Sequence, residues 1–596
     1  MPHTQHQGLI PYFPQKYRSI KPAQQEALEI IEKTRGNVTL ELPTGSGKTA
    51  IGATFLEQLS DTGQGPNVYV VRSKVLVEQV SQLHPEFKVV LGRNEHPCLY
   101  YEDANLKADD IPCAMLTDCP HRVDQETGET EEYGATPCPY LLQKYQARQP
   151  GEKVVTTMAF YLFTQLFGKQ WGDRPAGLVI DEAHQLAGVV RQCLSYEITD
   201  WHLERAAELL EQVGSPQAPQ LKGFLDEMVK IIKRKKPSAP ALLEEWEIES
   251  LRDLLEDIDK SAITKSIGEA VKAGLIDPKV EMETLKRLQV LVRDLGRYFR
   301  SLDFSLPAGK RGPLNYTYAY WVKERGENDR VKYRLFIKCY YVAPLIKRIL
   351  GKKTLAMSAT IGDPEIFSHE TGISNPCYSL DSDFSHLKTR VFLPTDTPNL
   401  AVNNRNKRDV TQTIRKMARA SKRFADEGIR SLVVVVSNEE RDKFLMMATE
   451  EGVEALSYGK GVKAKEAAQR FKGGEGDVLV GTLANYGEGL DLPKQIAPVI
   501  FVLRPSYPPP NDPCSVFEER RFGSMRWRLW NWRVMIEALQ VRGRNIRSTK
   551  DVGVCIFMSQ QFRRFLRPSL PEWLKPAYQG ESSFEQCLEE TLKLLK

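Results

Sequence analysis

A chain of 596 residues, 41% hydrophobic and 27% charged, has a globular balance and is too long for one hydrophobic core, so about three to five domains are expected. Its formal net charge of only +5 excludes a uniformly basic binder and leaves any nucleic-acid surface to local patches. The start MPHTQHQGLIPYFPQ carries no leader pattern, and the longest β-rich apolar run, Leu432 to Val436, is far too short to span a bilayer. A cytoplasmic protein with no membrane partner is therefore expected, nucleoid-associated or nuclear according to host.

In chain order, short apolar runs read as buried parallel strands: NVTLEL (37–42), NVYVV (67–71), KVVTT (153–157), GLVI (177–180) and KTLAM (353–357). A second series follows, SLVVVV (431–436), DVLV (477–480), PVIFVL (498–503) and GVCIFM (553–558), and the break near residue 380 predicts two α/β domains. Two inserts interrupt the first. Residues 91–150 are turn-rich and hold a cysteine cluster. Residues 197–330 read as helical, with Trp246, Ile248, Leu251, Leu254, Leu255 and Ile258 at helix spacing, and again Leu285, Leu288, Val292, Leu295 and Phe299. The expected division is residues 1–90, 151–196 and 331–378 for the first motor-type domain, 91–150 and 197–330 for its inserts, and 379–596 for the second.

The strongest chemical signal is ELPTGSGKTA at 41–50, between a strand and a helical run, the context a phosphate-binding loop requires. Pro43, Thr44, Gly45, Ser46 and Gly47 would shape the cradle, Lys48 would neutralise the β- and γ-oxygens of ATP, and the Thr49 hydroxyl would ligate magnesium. The second signal, GLVIDEAHQL at 177–186, puts carboxylates at the carboxyl end of a strand, where α/β sheets bind ligands. Asp181 would hold Mg2+ and Glu182 would deprotonate the attacking water. A glycine-rich turn without ligand, or a solvated acidic pair, is the bland alternative to each; their pairing argues against both.

With later elements, these residues resemble superfamily 2 helicases, and specifically the iron–sulfur branch that includes XPD and DinG. KPAQQEAL (21–28) resembles that branch's adenine-recognition segment, with Gln24 as the contact. VVRSKVLVEQ (70–79) resembles motif Ia, which places Arg72 and Ser73 against a strand, Ser73 standing where Thr is usual. MSATI (357–361) matches motif III, which couples hydrolysis to domain movement through Ser358 and Thr360. GTLANYGEGLDLP (481–493) matches motif V, with Gly487, Glu488, Gly489 and Asp491, and LRPSYPPPNDP (503–513) resembles the segment before motif VI. QVRGRNIRS (540–548) matches motif VI: Gln540, Arg544 and Arg547 fall on one helix face, where a guanidinium aimed at the γ-phosphate acts as an arginine finger. By the same resemblance His184 joins the ATP site. Ala159 in TTMAFYLF and the ending MSQQFRRF (558–565) depart from the branch pattern and weaken transfer of strand-contact details only.

Cys98, Cys113, Cys119 and Cys138 are separated by fourteen, five and eighteen residues, with no C-x-x-C pair. Spacing alone leaves zinc, iron–sulfur and no metal open. The ending TPCPYLLQKYQ and the position between motif Ia and the Asp-Glu motif resemble the XPD/DinG cluster domain, which implies a [4Fe–4S] cluster. The other six cysteines read as small buried hydrophobes. The helical insert occupies the place of the family's Arch domain, where the run Lys230 to Lys236 fits either a strand contact or a solvated face. In RRFGSMRWRLWNWRV (520–534), Arg526, Trp527 and Arg528 are candidate strand contacts; packing of the tryptophans into the second domain competes.

The expected fold is thus two RecA-like α/β domains with a cluster insert and an α-helical insert in the first. The resemblance implies an ATP-dependent, Mg2+-dependent DNA helicase moving 5′-to-3′ on single-stranded DNA and opening forked duplexes. Alternatives are a translocase on RNA–DNA hybrids, a protein-displacing ATPase, or a non-enzymatic scaffold with a degenerate motor. A monomeric motor is expected, with no separate nuclease domain, since motor motifs begin within the first 25 residues.

Overall fold

Runs of β-branched and apolar residues with no polar alternation can hide both faces only inside a parallel sheet. The computed structural model describes residues 8–43, 45–100, 107–109, 119–235, 241–276, 282–306, 317–325, 331–381, 385–401, 407–459, 461–486, 492, 496–509, 512–543 and 551–596. In it the first four runs become β1 (Val38–Glu41), β2 (Asn67–Val71), β4 (Lys153–Thr157) and β5 (Gly177–Asp181), with a short β3 (Lys88–Val89) that the sequence reading did not include. The large insert contributes β6 (Tyr196–Thr199), β7 (Ala241–Leu242), β8 (Thr317–Arg325) and β9 (Val331–Cys339), after which β10 (Lys353–Ser358) and β11 (Cys377–Ser379) return to the first sheet. The second series supplies β13 (Ser431–Val435), β15 (Val478–Thr482), β16 (Val499–Val502) and β17 (Gly553–Phe557), and β12 (Thr389–Phe392), β14 (Ala455–Leu456) and β18 (Tyr578–Gln579), which the sequence reading did not include, complete their sheet.

Two seven-stranded parallel sheets result, ordered β11-β1-β10-β5-β2-β4-β3 and β14-β15-β13-β16-β17-β12-β18. Each is covered on both faces. In the first, Val38 and Leu40 of β1 join one core with Tyr69 and Val71, while Val68 and Val70 turn to the other. In the second, Leu432 and Val434 alternate with Val433 and Val435 between two further cores.

The order β1-β10-β5 positions the site. Glu41 pairs with Ser358 and Met357 with Asp181, so the carboxyl ends of three strands lie side by side. The loop at 43–47, the MSATI segment and Asp181-Glu182 therefore share one edge of one sheet.

The helical insert is also part sheet. Strands β6-β9-β8-β7 form an antiparallel layer against the helices Asp200–Gln212, Ala218–Arg234, Glu245–Glu256 and Met282–Asp303, around one core that includes Leu210, Phe224, Leu251 and Leu295. The insert thus reaches Cys339, and 331–339, expected in the first motor domain, pairs with β6 and β8 instead. Alternation in VKYRLFIKC marks a strand that the expected boundary at residue 330 separated from its partners in the insert.

Between β16 and β17 the chain leaves the second sheet through helices Pro513–Phe522 and Met525–Arg542. Leu529, Trp532 and Ile536 of the latter enter a core of the first sheet, whereas Met535, Ala538, Leu539 and Val541 enter a core of the second. The helix is thus buried on more than one side, and the two sides belong to different domains.

Candidate active site

The phosphate loop begins where β1 ends, with Leu42 N–H donating to the Ser358 carbonyl at 2.7 Å. Gly45 and Gly47 have φ of +81° and +85°, the left-handed region that glycine enters without a Cβ penalty. A Cβ on Gly47 would collide with the Gln24 amide, so the buried Gln24 side chain lies directly against the loop. Gln24 is held there by the Lys21 N–H, which donates to its Oε1 at 2.9 Å, and the Lys21 ammonium donates to the Gly45 carbonyl at 3.1 Å. Helix Lys48–Asp61 starts at Gly47 and directs its amino end into the loop. The Ser46 hydroxyl is buried without a hydrogen-bond partner among the described residues, a polar atom in want of a ligand oxygen.

Across the cleft, Lys48 Nζ lies 2.7 Å from Glu182 Oε1. Glu182 adopts φ +51°, an uncommon conformation for a residue with a Cβ, which turns its carboxylate off the end of β5 towards the loop. Burial pushes the Asp181 carboxyl up to about 6, with the Lys48 ammonium opposing and the Glu182 charge adding. Two neighbouring carboxylates with one ammonium leave negative charge that a divalent cation would relieve. Asp181 with the Thr49 hydroxyl is therefore a donor set that fits magnesium.

A polar chain leads away from Glu182. His184 Nδ1 lies 2.5 Å from Ser358 Oγ, Ser358 Oγ–H donates to the Thr360 carbonyl at 3.0 Å, and the Gln540 amide bonds the other ring nitrogen of His184. With Nδ1 as donor and Nε2 as acceptor every link is satisfied. The segments at 181–184, 358–360 and 540 thus meet, although Gln540 comes from the helix that serves both cores.

Sequence reasoning passed over Glu41. Its Oε1 accepts from the Ile361 N–H at 2.7 Å and the Gly362 N–H at 3.2 Å, and Oε2 accepts from the Ser379 hydroxyl at 2.8 Å. The signal was there: one carboxylate inside an otherwise apolar buried strand. The Trp532 indole N–H donates to the Ile361 carbonyl at 2.8 Å. Tyr69 was also missed. Its hydroxyl is fully buried and its ring packs where a Cβ on Gly52 would stand.

The remaining candidates fall into three groups. Thr44, Cys113, Gly487, Glu488, Gly489, Asp491, Arg544 and Arg547 lie outside the described residues. Arg72 is exposed beyond β2, and Ser73 caps helix Lys74–Leu83, its hydroxyl accepting from the Leu76 N–H at 3.4 Å. The Arg–Trp segment divides. Trp530 and Trp532 are buried, the former donating to Glu518 at 2.6 Å, while Trp527 is 52% exposed with the Arg526 guanidinium 5.0 Å from its ring. Arg528 pairs with Asp363 and Glu365, and Arg526 with Glu519. In the basic run, Lys230 pairs with Glu227 and Lys235 with Glu247, and Ile231 and Ile232 are buried.

In the cysteine insert, burial raises the Cys119 thiol pKa, and charge on Cys98 and Cys138 would raise it further, so three thiols distant in sequence share one neighbourhood. No group of three or more His, Cys, Asp or Glu among the described residues is arranged to hold a metal ion, Cys113 lying outside them. The insert has little core. Between residues 91 and 150 the buried hydrophobics among the described residues are Ala108, Val123 and Ala147. Of the six scattered cysteines, Cys339, Cys555 and Cys587 are buried as expected, while Cys193, Cys377 and Cys514 are only partly so. Among the described residues no helix is long and apolar enough to cross a membrane.

Comparison with known proteins matches both halves. Residues 18–204 match the family described as the res subunit of type III restriction enzymes, and residues 415–577 match the helicase C-terminal domain. A solved structure described as an XPD helicase superposes with a TM-score of 0.61 at 16% identity, over 95% of this chain and 100% of that one. An XPD apo structure gives 0.55 at 17% identity, over 93% and 100%, and Xpd4 of S. tokodaii gives 0.55 at 14%, over 94% and 100%. The chain shares their fold: two RecA-like sheets with inserts in the first.

Proposed function

Starting from an ATP-driven helicase of XPD-like fold, which the two domain matches and the superpositions support, we propose a 5′-to-3′ DNA helicase that opens forked duplexes from a single-stranded tail. The observation that carries the motor reading is the polar chain from Ser358 through His184 to Gln540. It joins the strand that ends in Asp181-Glu182 to the helix rooted in both domains. Lys48 and the loop amides hold the triphosphate, Gln24 lines the loop on the adenine side, and Glu182 takes the proton of the attacking water as the β–γ phosphate bond breaks. Asp181 and Thr49 would hold magnesium, which supplies charge neutralisation at the phosphates. Arg544 and Arg547, with Gly487, Glu488 and Asp491, are assigned to the same cleft by their motifs.

Cys98, Cys113, Cys119 and Cys138 would hold a [4Fe–4S] cluster, which supplies a covalent brace for the insert. The convergence of three of these thiols supports that reading. Arg72, Ser73 and Trp527 are proposed strand contacts, Trp527 because an exposed indole beside a guanidinium suits base stacking. DNA preference and polarity rest on the family resemblance. They are tested by unwinding of matched duplexes with 5′ or 3′ tails, in DNA, RNA and hybrid form, alongside iron content. Opening of 5′-tailed DNA is expected; opening confined to 3′ tails or to RNA overturns the assignment.

A further inference from the structure

We propose that Glu41 and Trp532 are positioning residues that grip the Ile361 peptide from opposite sides and so couple the ATP cleft to the second domain. The inference rests on the helicase reading and gives a role to two residues that its motifs assign none.

Ile361 closes the MSATI segment. On one side the Glu41 carboxylate, at the end of the strand that enters the phosphate loop, accepts from the Ile361 and Gly362 N–H groups at 2.7 and 3.2 Å. On the other, the indole N–H of Trp532 donates to the Ile361 carbonyl at 2.8 Å. The Glu41 bonds are charge-assisted and the Trp532 bond is buried, and both conditions strengthen a hydrogen bond. The next residue fits the same purpose. Gly362 has φ +66°, which favours glycine, and a Cβ there would crowd the Trp532 indole nitrogen at 3.2 Å.

The geometry makes a mechanical path. Glu41 pairs with Ser358 in the sheet, Leu42 N–H is bonded to the Ser358 carbonyl, and Ser358 Oγ touches His184. Trp532 lies two helical turns before Gln540, on a helix whose opposite sides are rooted in different cores. A shift of the phosphate-loop strand thus reaches the helix through one peptide group, in parallel with the His184–Gln540 contact. Closing and opening of the cleft must load that peptide.

A purely structural role predicts less active protein, with ATPase and unwinding falling together. A coupling role predicts more ATP hydrolysed per base pair opened. Trp532→Phe keeps a ring and removes the donor; Glu41→Gln keeps the shape and removes the charge. Each should raise ATP consumed per base pair by roughly threefold to tenfold, the worth of one buried hydrogen bond. The double variant should rise no further than the worse single one, because both act on one peptide. Trp530→Phe is the control: it deletes an indole bond to Glu518 on the same helix without reaching Ile361, and should leave the ratio unchanged. An unchanged ratio in Trp532→Phe, or an equal rise in Trp530→Phe, overturns the inference. If the unaltered chain shows strand-stimulated ATPase but no unwinding, the helicase reading fails instead. The inference is then decided by the stimulation factor, which Trp532→Phe and Glu41→Gln should lower and Trp530→Phe should not.

Discussion

Glu182 stands in a left-handed conformation, 2.7 Å from Lys48, because the chain must turn sharply off β5 to bring a carboxylate over the loop. Charge at these two positions has separable uses. Lys48→Ala should weaken ATP binding, whereas Glu182→Gln should bind ATP and hydrolyse it roughly 10²- to 10⁴-fold more slowly, since only the proton acceptor is lost. Nucleotide binding and single-turnover hydrolysis on both variants check this, and equal hydrolysis by Glu182→Gln and the unaltered chain would remove Glu182 from the reaction. The tryptophans separate in the same manner. Trp527, half exposed, should lose about 1–3 kcal/mol of single-strand affinity on change to Ala, with little change in melting temperature. Trp530, buried against Glu518, should cost about 3–5 kcal/mol of stability. Melting and strand binding on both proteins decide it.

Among the elements, the cysteine insert and the helix Met525–Arg542 show opposite ways of being held. The insert has three small buried hydrophobics among its described residues and is tied to the motor by Gln170, whose amide donates to the Lys144 carbonyl at 2.8 Å and whose backbone carbonyl accepts from Arg148 at 3.1 Å. Its shape must come from something other than a core. Cys138→Ser and Cys113→Ser should therefore lose iron and duplex separation while retaining part of the strand-stimulated ATPase, because the ATP-cleft residues described here lie outside the insert. Iron content, unwinding and ATPase on one preparation test this; full unwinding without iron would leave the cysteines as a folding aid. The helix, by contrast, is held by two cores at once. Periodicity cannot announce such a helix, because its polar residues are interspersed with apolar ones and no single polar face marks its orientation. That is why packing and strand contact competed evenly in the sequence RWRLWNWRV, although both kinds of tryptophan were present.

At the scale of the whole molecule the two halves are locked by buried charge as well as by the shared helix. Glu370, from the helix after β10, accepts from Arg191 at 2.5 Å and from Arg533 at 2.9 and 3.0 Å, and Arg533 also bonds Glu518 at 2.6 Å. Burial works against the Glu370 charge, yet the two guanidiniums outweigh it and hold its pKa down to about 2. A carboxylate with a depressed pKa contributes stability that is full above its unfolded value, near 4.5, and is lost as pH falls towards 2. Glu370→Gln should thus cost about 3 kcal/mol at neutral pH, leaving Arg191 without this carboxylate and Arg533 with Glu518 alone. The difference in melting temperature from the unaltered chain should shrink as pH drops below about 4.5. A difference independent of pH would show that packing, not charge, makes the lock.

The sequence by itself determined the elements whose physics is local. All nine apolar runs read as strands became strands of the two parallel sheets, because a chain that must hide both faces has few other solutions. The loop at 43–49 and the Asp181-Glu182 pair were legible because phosphate binding fixes residue types at fixed spacing. The tertiary structure alone decided what depends on distant neighbours. It placed β9 in the insert's antiparallel sheet, sorted Trp527 from Trp530 and Trp532, and brought Cys98, Cys119 and Cys138 into one neighbourhood. It also made Glu41 more than a strand residue, because its partners Ile361, Gly362 and Ser379 lie more than three hundred residues along the chain. Short-range chemistry writes itself into local patterns, whereas a hydrogen bond closed over so long a loop leaves no spacing to read.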